Sequence, residues 1–323
     1  MDGYVVSLDG SSVPADRATA ERALTSGRLL WLDLHGADDD TMALLREVFK
    51  FHPVALDDVG EFGQRPKAEN FGDVVYLVSY AATTVLGPLI EVHAFYAERF
   101  LITVRKKGCD SLDQVRRQLA ATGGEPASGD RPVRLIMLHH ILDAMIDSFF
   151  APLSDLDDRI DALLEQIFVR PSQDELRDLL QMQRWLVTVR KLVTPQRDVM
   201  AGLLSGIVMV PGRTADSDPY LRDLYDHVIR ISDLIDSYRD LLSNGMDAYL
   251  SMVSNKLNEV MKQLTIIATV FLPLSFLTGF FGQNFGWLVG RVGGLASFLV
   301  LGIGSEVVAV AGLYALFRRR GWL

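Results

Sequence analysis

The chain has 323 residues, a formal net charge of −9 at pH 7 and 49% hydrophobic residues, a high share for a fully soluble protein. The acidic balance argues against nucleic-acid binding, because nucleic-acid-binding proteins need a basic surface to meet phosphates. A single cysteine, Cys109, excludes an intramolecular disulfide and any cysteine-based metal site, which is typical of a reducing compartment.

The N-terminal third of the chain alternates short β-rich runs with helical runs. Its opening, MDGYVVSLDG, lacks the basic and apolar blocks of a signal peptide, so we expect this part to stay in the cytoplasm. The pattern predicts a small cytoplasmic α/β domain over residues 1–125, with a Gly-, Pro- and Ser-rich linker at 122–132. The predicted strands are 29–34, 74–80, 89–97 and 99–105, and the predicted helices are 15–24 and 38–50.

Residues 126–262 are predicted to form a helical cytoplasmic region. One helix is expected to run from residue 133 to residue 168 with a bend at Pro152, and the next to start at a capping residue, Ser172. A very long stalk helix is predicted from about Pro219 to Phe280, because hardly any helix breaker interrupts it. A helix of that length needs packing partners along most of its surface.

Two periodic lines run along the predicted stalk helix. The first is an apolar seam with spacings of three and four residues, as in helices that pack side by side. The second is an acidic line that repeats every seven residues, at Asp226, Asp233, Asp240 and Asp247. This acidic line is either a solvated face or, with several copies around an axis, a face that concentrates cations. The seam consists of Leu221, Leu224, Val228, Ile231, Ile235, Tyr238 and Leu242.

Residues 263–323 are predicted to form a transmembrane domain. Two nearly uncharged apolar runs predict spans at about 263–281 and 293–317, since about 20 helical residues cross the hydrocarbon core. After Lys262 the chain carries four basic residues and one acid, hence +3, which leaves −12 for the rest. Basic residues at the outer flanks of both spans place both termini in the cytoplasm, with an external loop at 282–292.

A line of mainly small and apolar residues continues the same helical period into the first predicted span and ends near Gly282 and Asn284. Small residues on a membrane helix often mark helix packing. The alternative is a pore line, and a chain with one or two spans can build a pore only as a symmetric oligomer. The line comprises Asn258, Met261, Ala268, Leu272, Ser275 and Gly279.

Residues 247–285, DAYLSMVSNKLNEVMKQLTIIATVFLPLSFLTGFFGQNF, resemble the signature of the CorA family of divalent-cation channels. Looser similarity covers nearly the whole chain, from HPVALDDV at 52–59 to the terminal RRRGWL. The resemblance implies an α+β membrane protein, a funnel-shaped homopentamer whose subunits each have an N-terminal α/β cytoplasmic domain, a long stalk helix and two C-terminal transmembrane helices. It also implies a Mg²⁺, Co²⁺ or Ni²⁺ channel gated by intracellular Mg²⁺ in the inner membrane of a prokaryotic cell, without an organic cofactor and not an enzyme.

By position, Gly282, Gln283 and Asn284 match the family's selectivity motif at the external pore mouth. A ring of neutral amides suits Mg²⁺, which gives up its water reluctantly and is better hydrogen-bonded in its hydrated form. Asp223 and Asp247 match acids of a regulatory metal site between subunits. The residues that correspond to pore-lining and gate positions, or that the periodicity adds to them, are Asn258, Met261, Leu264, Ala268, Leu272 and Ser275.

Three features depart from the family pattern. Gln283 stands where Met is usual, Arg291 lies in a loop that lacks acids, and Glu306 lies within the second predicted span. Two alternatives to a Mg²⁺ channel stay open: a zinc transporter resembling the ZntB branch, coupled to protons, and a non-conducting membrane-bound metal sensor. The adjacent His139 and His140 are not expected to form a metal site, because neighbouring helical residues point in different directions.

Overall fold

The chain divides into two compact units, Met1–Met246 and Asp247–Leu323. The predicted linker at 122–132 lies outside the described residues, and so does the domain boundary predicted at residue 125. The division into three regions therefore stays a prediction. The structure is a computed structural model that describes residues 1–7, 11–25, 29–121, 133–169 and 171–322.

Strands of the first unit, within its described residues, form one seven-stranded sheet. They are β1 (Asp2–Ser7), β2 (Ser12–Pro14), β3 (Leu30–His35), β4 (Lys67–Phe71), β5 (Val74–Ala82), β6 (Leu89–Ala97) and β7 (Phe100–Arg105). The spatial order is β2-β1-β3-β7-β6-β5-β4. β3 and β7 are parallel, and each other neighbouring pair is antiparallel. Strands β4 to β7 are therefore a meander, whereas β3 pairs Leu30 with Phe100, far along the chain.

The centre of the sheet is buried on both faces, which explains why its middle strands are almost continuously apolar. Nearly every residue of β5, β6 and β7 is buried. Trp31, Tyr76 and Phe95 are among the largest fully buried side chains. The four predicted strands are confirmed as β3, β5, β6 and β7. The sequence analysis does not predict β1, β2 and β4. Strand β2 has only three residues, and KAENF of β4 carries charges.

Helix ends in the first unit follow the usual capping rules. Asp38 caps α2 by accepting a hydrogen bond from Thr41 N at 2.8 Å. The predicted start at Ser172 is confirmed by a capping box, in which Ser172 N donates to Glu175 at 2.8 Å. Gly206 follows the last residue of α7 with a left-handed φ of 78°. The helices are α1 (Arg17–Thr25), α2 (Asp39–Glu47), α3 (Pro53–Glu61), α4 (Asp110–Ala121), α5 (Val133–Asp147), α6 (Phe150–Val169) and α7 (Gln173–Ser205).

Helices α5 and α6 are separate, so the prediction of one helix bent at Pro152 is wrong. The chain leaves the helix between Asp147 and Phe150, where Ser148 Oγ accepts a hydrogen bond from Ala82 N at 2.8 Å. Pro152 is the third residue of α6, a position whose N–H would have no intrahelical partner, so proline neither breaks nor bends the helix there.

The predicted stalk helix is present as α8 (Asp218–Phe281), with 64 residues, after a 3₁₀ turn at Ala215–Ser217. Its predicted bounds are confirmed to within one residue. Every residue of the apolar seam, from Leu221 to Leu242, is at most 8% exposed, so the seam is confirmed as a packing face. The acidic line, from Asp226 to Asp247, is exposed at all four positions of the chain.

The second unit begins within α8 and continues through shorter helical segments. Residues 282–285 connect α8 to the next helix without helical structure of their own. The described segments that follow are α9 (Gly286–Arg291), α10 (Leu295–Ser297), a π-helical turn (Phe298–Ile303) and α11 (Gly304–Arg319).

Three helical segments of the described chain are long and apolar enough to cross a membrane: Leu135–Val169, Ala215–Phe281 and Leu295–Arg319. The first comprises α5 and α6, and 56% of its apolar window is buried inside the protein itself. The windows of the other two are 0% buried. Apolar surface of that extent needs lipid or another subunit to cover it, so the two C-terminal segments are the stronger candidates for membrane spans.

Candidate functional site

The predicted selectivity motif, Gly282–Gln283–Asn284, forms the turn directly after α8. Gly282 N donates a hydrogen bond to Thr278 O at 2.9 Å, and Gln283 N donates to Phe280 O at 3.4 Å. A Cβ at position 282 would lie 3.1 Å from that Thr278 oxygen, so glycine permits the close approach that ends the helix. The side chains of Gln283 and Asn284 are exposed. Two neutral amides are thus presented just beyond the last turn of α8.

A cavity of about 200 Å³ lies beside this turn within the second unit, and both amide residues line it. The rest of its wall is largely apolar and includes Phe281, Leu288 and Phe298. Cavities of this kind use a few polar groups on an apolar wall to orient what they hold. The water shell of a hydrated cation donates hydrogen bonds, which the oxygens of Gln283 and Asn284 can accept.

The six predicted pore and gate residues share one face of α8. At about 100° per residue they fall in a sector about 120° wide, and all six are exposed. Three large side chains on this face are 53% (Met261), 59% (Leu264) and 74% (Leu272) exposed. Ile266 and Pro273, which are partly buried, lie on the opposite side. Nothing in the described chain covers this mainly apolar face, which leads toward the selectivity motif.

Asp223 lies in a cluster of carboxylates and imidazoles between α5 and the first part of α8. Its Oδ2 is 3.1 Å from His139 Nε2, and its Oδ1 is 3.7 Å from His227 Nε2. The Nδ1 atom of His227 lies 2.8 Å from Asp147 Oδ1 and 3.3 Å from Asp143 Oδ1. Ligand atoms lie within 4.8 Å of one another in two overlapping groups, His139–Asp143–Asp223 and Asp143–Asp147–His227. These five residues are called the His–Asp cluster below.

The electrostatics of the His–Asp cluster favour a bound cation. Burial, followed by the negative charge of Asp147, raises the pKa of the Asp143 carboxyl above its ordinary value. A cation would relieve that repulsion. His139 is 8% exposed, and its Nδ1 has no hydrogen-bond partner among the described residues. Carboxylate oxygens suit Mg²⁺ and imidazole nitrogens suit Co²⁺, Ni²⁺ and Zn²⁺, so the donor set accommodates either class.

The two predicted regulatory acids have different surroundings. Asp223 belongs to the His–Asp cluster, whereas Asp247 is exposed and belongs to no group of metal-ligating side chains within the described ranges. The other cluster members are not predicted from the sequence, although three of them repeat every four residues on one face of α5. As expected, the adjacent side chains of His139 and His140 point in different directions: His140 is exposed, whereas His139 contacts Asp223 of α8.

A second group of metal-ligating residues, Asp33, His35 and Asp113, already surrounds a positive charge. Arg105 Nη2 lies 2.9 Å from Asp33 Oδ2, 3.0 Å from Asp113 Oδ1 and 2.7 Å from His35 Nε2. A guanidinium at the centre of the group excludes a metal ion by charge and by space. This group is structural, which leaves the His–Asp cluster as the candidate metal centre.

Family and sequence comparisons cover nearly the whole chain. The profile of the CorA-like Mg²⁺ transporter protein family matches residues 26–319. The cobalt/magnesium transport protein CorA of Thermotoga maritima is 32% identical over 300 residues, covering 91% of this chain and 83% of that protein. The zinc transport protein ZntB of Yersinia enterocolitica is 26% identical over 335 residues, covering 99% of this chain and 95% of that protein.

A solved structure shares the fold. The complete structure of the CorA magnesium transporter from Methanocaldococcus jannaschii matches with a TM-score of 0.81 at 21% identity, covering 100% of this chain and 99% of that chain. At that level of identity the match shows the fold. It confirms the predicted α+β architecture, with an N-terminal α/β part, a long helix and helices at the C-terminus.

Proposed function

The chain belongs to the CorA family, and we propose that it transports divalent metal cations across a membrane as a channel for Mg²⁺, Co²⁺ or Ni²⁺. The observation that carries this proposal is the uncovered face of α8, from Asn258 to Ser275, which leads to the amides of the selectivity motif. A cation path needs a face that is polar at its entrance and covered by nothing in its own chain. Several copies around an axis would enclose it, five in the pentamer that the family resemblance implies.

In such an assembly, Gln283 and Asn284 would form rings of neutral amides at the pore mouth. These rings would hydrogen-bond a hydrated Mg²⁺ without holding it too tightly for release. Farther along the same face, rings of Met261, Leu264 and Leu272 would exclude water and close the path when the helices approach one another. The membrane potential supplies about 4.6 kcal/mol per 100 mV for an inward-moving divalent ion, so inward transport needs no chemical fuel.

Replacement of Asn284 tests whether its amide lies at the entrance of the proposed pore. We expect Asn284→Ala to lower Mg²⁺ influx into proteoliposomes about ten-fold, because several hydrogen bonds to the hydrated ion are lost at once. A Mg²⁺-sensitive dye inside the liposomes, under a fixed membrane potential, measures the influx. Asn244→Ala, at an exposed position of α8 outside the selectivity motif, is the matched control and should transport like the wild type.

Unchanged Mg²⁺ influx in Asn284→Ala would contradict the proposed entrance. Parallel measurements with Co²⁺ and Zn²⁺, with and without a pH gradient, separate the alternatives. Flux of Zn²⁺ alone, dependent on the gradient, would assign the chain to zinc transport, the function for which the relative from Yersinia enterocolitica is named. Absence of flux for every cation in the wild type would favour a non-conducting metal sensor.

We also propose that the His–Asp cluster is a regulatory divalent-cation site, with Asp143 and Asp223 as its central ligands. Two carboxylates, Asp143 and Asp223, lie beside the buried His139, and Asp147 lies beside Asp143. This crowding supports the role, because a cation would relieve it. An ion held between α5 and α8 would stabilise their packed arrangement by mass action and so couple the cytoplasmic metal concentration to the state of the channel. The regulatory role of Asp247 stays a prediction from the family resemblance.

Loss of one central ligand should weaken this site. We expect Co²⁺ to raise the unfolding temperature of the detergent-purified wild type, and to raise that of Asp143→Asn much less, because a neutral amide is the poorer ligand. Fluorimetric melting curves with Co²⁺ or Mg²⁺, and after metal removal with EDTA, measure the difference. Asp178→Asn, at an exposed acid of α7, is the control. Equal stabilisation of all three proteins would rule the site out.

A further inference from the structure

The connection between the two apolar C-terminal segments carries two large exposed side chains on the short helix α9. Trp287 is 73% exposed, and Arg291 is exposed as well. The guanidinium carbon of Arg291 lies 5.8 Å from the centre of the Trp287 ring, within the range of a cation–π contact. Phe285, directly before α9, is 67% exposed. Exposed aromatic surface of this extent usually marks a place that a partner covers.

One face of α9 packs against its own unit. Leu288 and Val292, which are four residues apart, are partly buried and line the cavity beside the selectivity motif. The N–H group of Val292 donates to the carbonyl oxygen of Leu288 at 2.9 Å, so the helical turn extends as far as this contact. Trp287 and Arg291 are also four residues apart, on a face turned by about 100° from the first, and neither lines the cavity. They form the face of α9 that its own unit leaves open.

Arg291 needs an anion that this part of the chain does not supply. No acid occurs between Glu259 and Glu306, and among the described residues Arg291 forms no ion pair. Another copy of the chain would present the same acid-free stretch at the same membrane level. Phosphate oxygens fit the fork of a guanidinium group, and phospholipid headgroups offer such oxygens at the membrane surface.

The length of the second apolar segment places this open face near the membrane surface. Leu295–Arg319 has 25 residues, which as a helix are about 38 Å long at 1.5 Å per residue. That length exceeds the hydrocarbon core of about 30 Å and stays within the roughly 40–45 Å of a bilayer with its headgroups. Both ends of the membrane-spanning segment therefore reach the headgroup regions. Arg291 comes shortly before Leu295 in the chain, so α9 belongs to one of these regions.

The other end of the same segment carries the same two residue types. Trp322 stacks on Phe317 with ring centres 5.9 Å apart, and the basic run 318–320 lies between them in the chain. Tryptophan is enriched at both membrane–water interfaces, where its ring lies in apolar surroundings and its N–H group meets polar ones. The remaining tryptophans, Trp31 and Trp185, are buried in the first unit. Both tryptophans of the second unit thus flank this segment, as in an aromatic belt.

We propose that α9 is an interfacial anchor, in which Trp287 lies in the headgroup region of the membrane and Arg291 binds the phosphate group of a phospholipid. Phe285 and the amides of the selectivity motif come directly before α9, so the anchor holds them at a fixed depth. This role requires a chain embedded in a membrane but not ion transport. Failure of the proposed channel function would therefore leave it intact.

Depth-dependent fluorescence quenching tests the position of Trp287. The full chain is reconstituted into phosphatidylcholine vesicles whose lipids carry a nitroxide either on the headgroup or near the end of an acyl chain. The difference in emission between the wild type and Trp287→Phe isolates Trp287. We expect the headgroup nitroxide to quench this component strongly, and the chain-end nitroxide and acrylamide in the water to quench it weakly. Trp185→Phe is the control, because the component of the buried Trp185 should be insensitive to both nitroxides.

Three results would overturn the proposed position of Trp287. Strong quenching by acrylamide would show that Trp287 lies in water. Stronger quenching by the chain-end nitroxide than by the headgroup nitroxide would place it in the hydrocarbon core. Protection from all three quenchers would show that another copy of the chain covers it.

Replacement of Arg291 tests the phosphate contact. We expect Arg291→Gln to increase the quenching of the Trp287 component by acrylamide, because loss of the contact releases α9 towards water, whereas Arg291→Lys should retain more of the protection. The same comparison in vesicles of digalactosyldiacylglycerol, whose headgroup has no phosphate, tests the partner. There the wild type should resemble Arg291→Gln. An equal effect of Arg291→Gln in both lipids, or no effect in either, would overturn the role of the phosphate.

Discussion

Among single residues, the buried pair of Asp33 on β3 and Arg105 on β7 links the two parallel strands. Arg105 Nη2 lies 2.9 Å from Asp33 Oδ2, and both side chains are 1% exposed. Thr103 Oγ1 donates to Asp33 at 2.8 Å, and Trp31 Nε1 donates to Thr103 Oγ1 at 3.0 Å. The network satisfies a buried charge with an opposite charge and hydrogen bonds, which is the condition for tolerating it in a core.

This network makes the stability of the first unit depend on pH. Burial by itself would raise the pKa of the Asp33 carboxyl, but hydrogen bonds from His35 and Arg105 outweigh burial and lower it below the ordinary value. A carboxyl group whose pKa is lowered by folding contributes stability above its unfolded pKa of about 3.9. That contribution is lost as the pH falls through the lower pKa of the folded state.

Removal of Asp33 should be strongly destabilising. We expect Asp33→Ala to lower the free energy of unfolding by about 3–5 kcal/mol at pH 7, because Arg105 would lose its main buried counter-charge. Urea denaturation of the detergent-purified chain, followed by tryptophan fluorescence, measures the change. Asp73→Ala, at an exposed turn position, is the control. An unchanged denaturation midpoint in Asp33→Ala would show that the pair contributes nothing to stability.

Among the elements, α8 depends on its buried seam for stability. A helix of 64 residues cannot be held by propensity alone, and the seam supplies the packing. Ile231 lies in the middle of the seam and is 1% exposed, whereas Ile207, in the loop after α7, is 83% exposed. The same side chain therefore occurs in two opposite environments.

Truncation of the isoleucine side chain should reduce stability in the seam but not at the exposed position. We expect Ile231→Ala to lower the free energy of unfolding by about 2–5 kcal/mol, because it leaves a cavity in a packed interface. Ile207→Ala should change it by less than about 0.5 kcal/mol, because the exposed side chain fills no such space. Chemical denaturation of both variants under identical conditions measures the difference. Equal effects would show that α8 is not packed along the seam.

The elements that the sequence predicts correctly have a long or strong periodicity. The seam of α8 and the apolar runs of β5, β6 and β7 repeat over enough residues to be unambiguous. Short elements such as β2 and β4 have no such repeat. The helices α3 and α4 are also not predicted from the sequence. The break at Ser148 depends on a hydrogen bond from a distant strand, at Ala82, so no local pattern marks it. Tertiary structure overrides the local signal there.

The candidate site likewise has one part that is predictable from the sequence and one part that is not. The selectivity motif lies in one short stretch, so its position at the end of α8 is predictable from sequence. The His–Asp cluster joins α5 to α8 across more than 70 residues of chain, from Asp147 to Asp223, and only folding brings its members together. The repeat of His139, Asp143 and Asp147 is a visible signal, but a pattern of that kind is also typical of a solvated helix face.

For the whole molecule, the uncovered apolar surface of the second unit needs lipid or other copies of the chain to cover it. A single chain leaves the windows of both C-terminal segments unburied, and the predicted pore face of α8 would lie against lipid with its polar end unsatisfied. If other copies of the chain enclose that face, its polar end no longer lies against lipid.

The mass of the intact assembly should show how many chains it contains. We expect native mass spectrometry of the protein in mild detergent to show five times the 35.9 kDa mass of the chain, because the family resemblance implies a homopentamer. Spectra recorded at several protein concentrations control for association in the spray. A monomer or dimer as the largest species would contradict the pore model.

The parallel pairing of β3 with β7 also has a consequence for synthesis on the ribosome. At about 5–20 residues per second, β7 emerges roughly 4 to 14 seconds after β3. During that interval the apolar strand LWLDLH has an unpaired edge, which is the kind of strand that pairs with other nascent chains. Asp33, in the middle of that strand, carries a charge that discourages such pairing until Arg105 arrives to neutralise it. We therefore expect the residue that anchors the finished sheet also to limit aggregation while the sheet is incomplete.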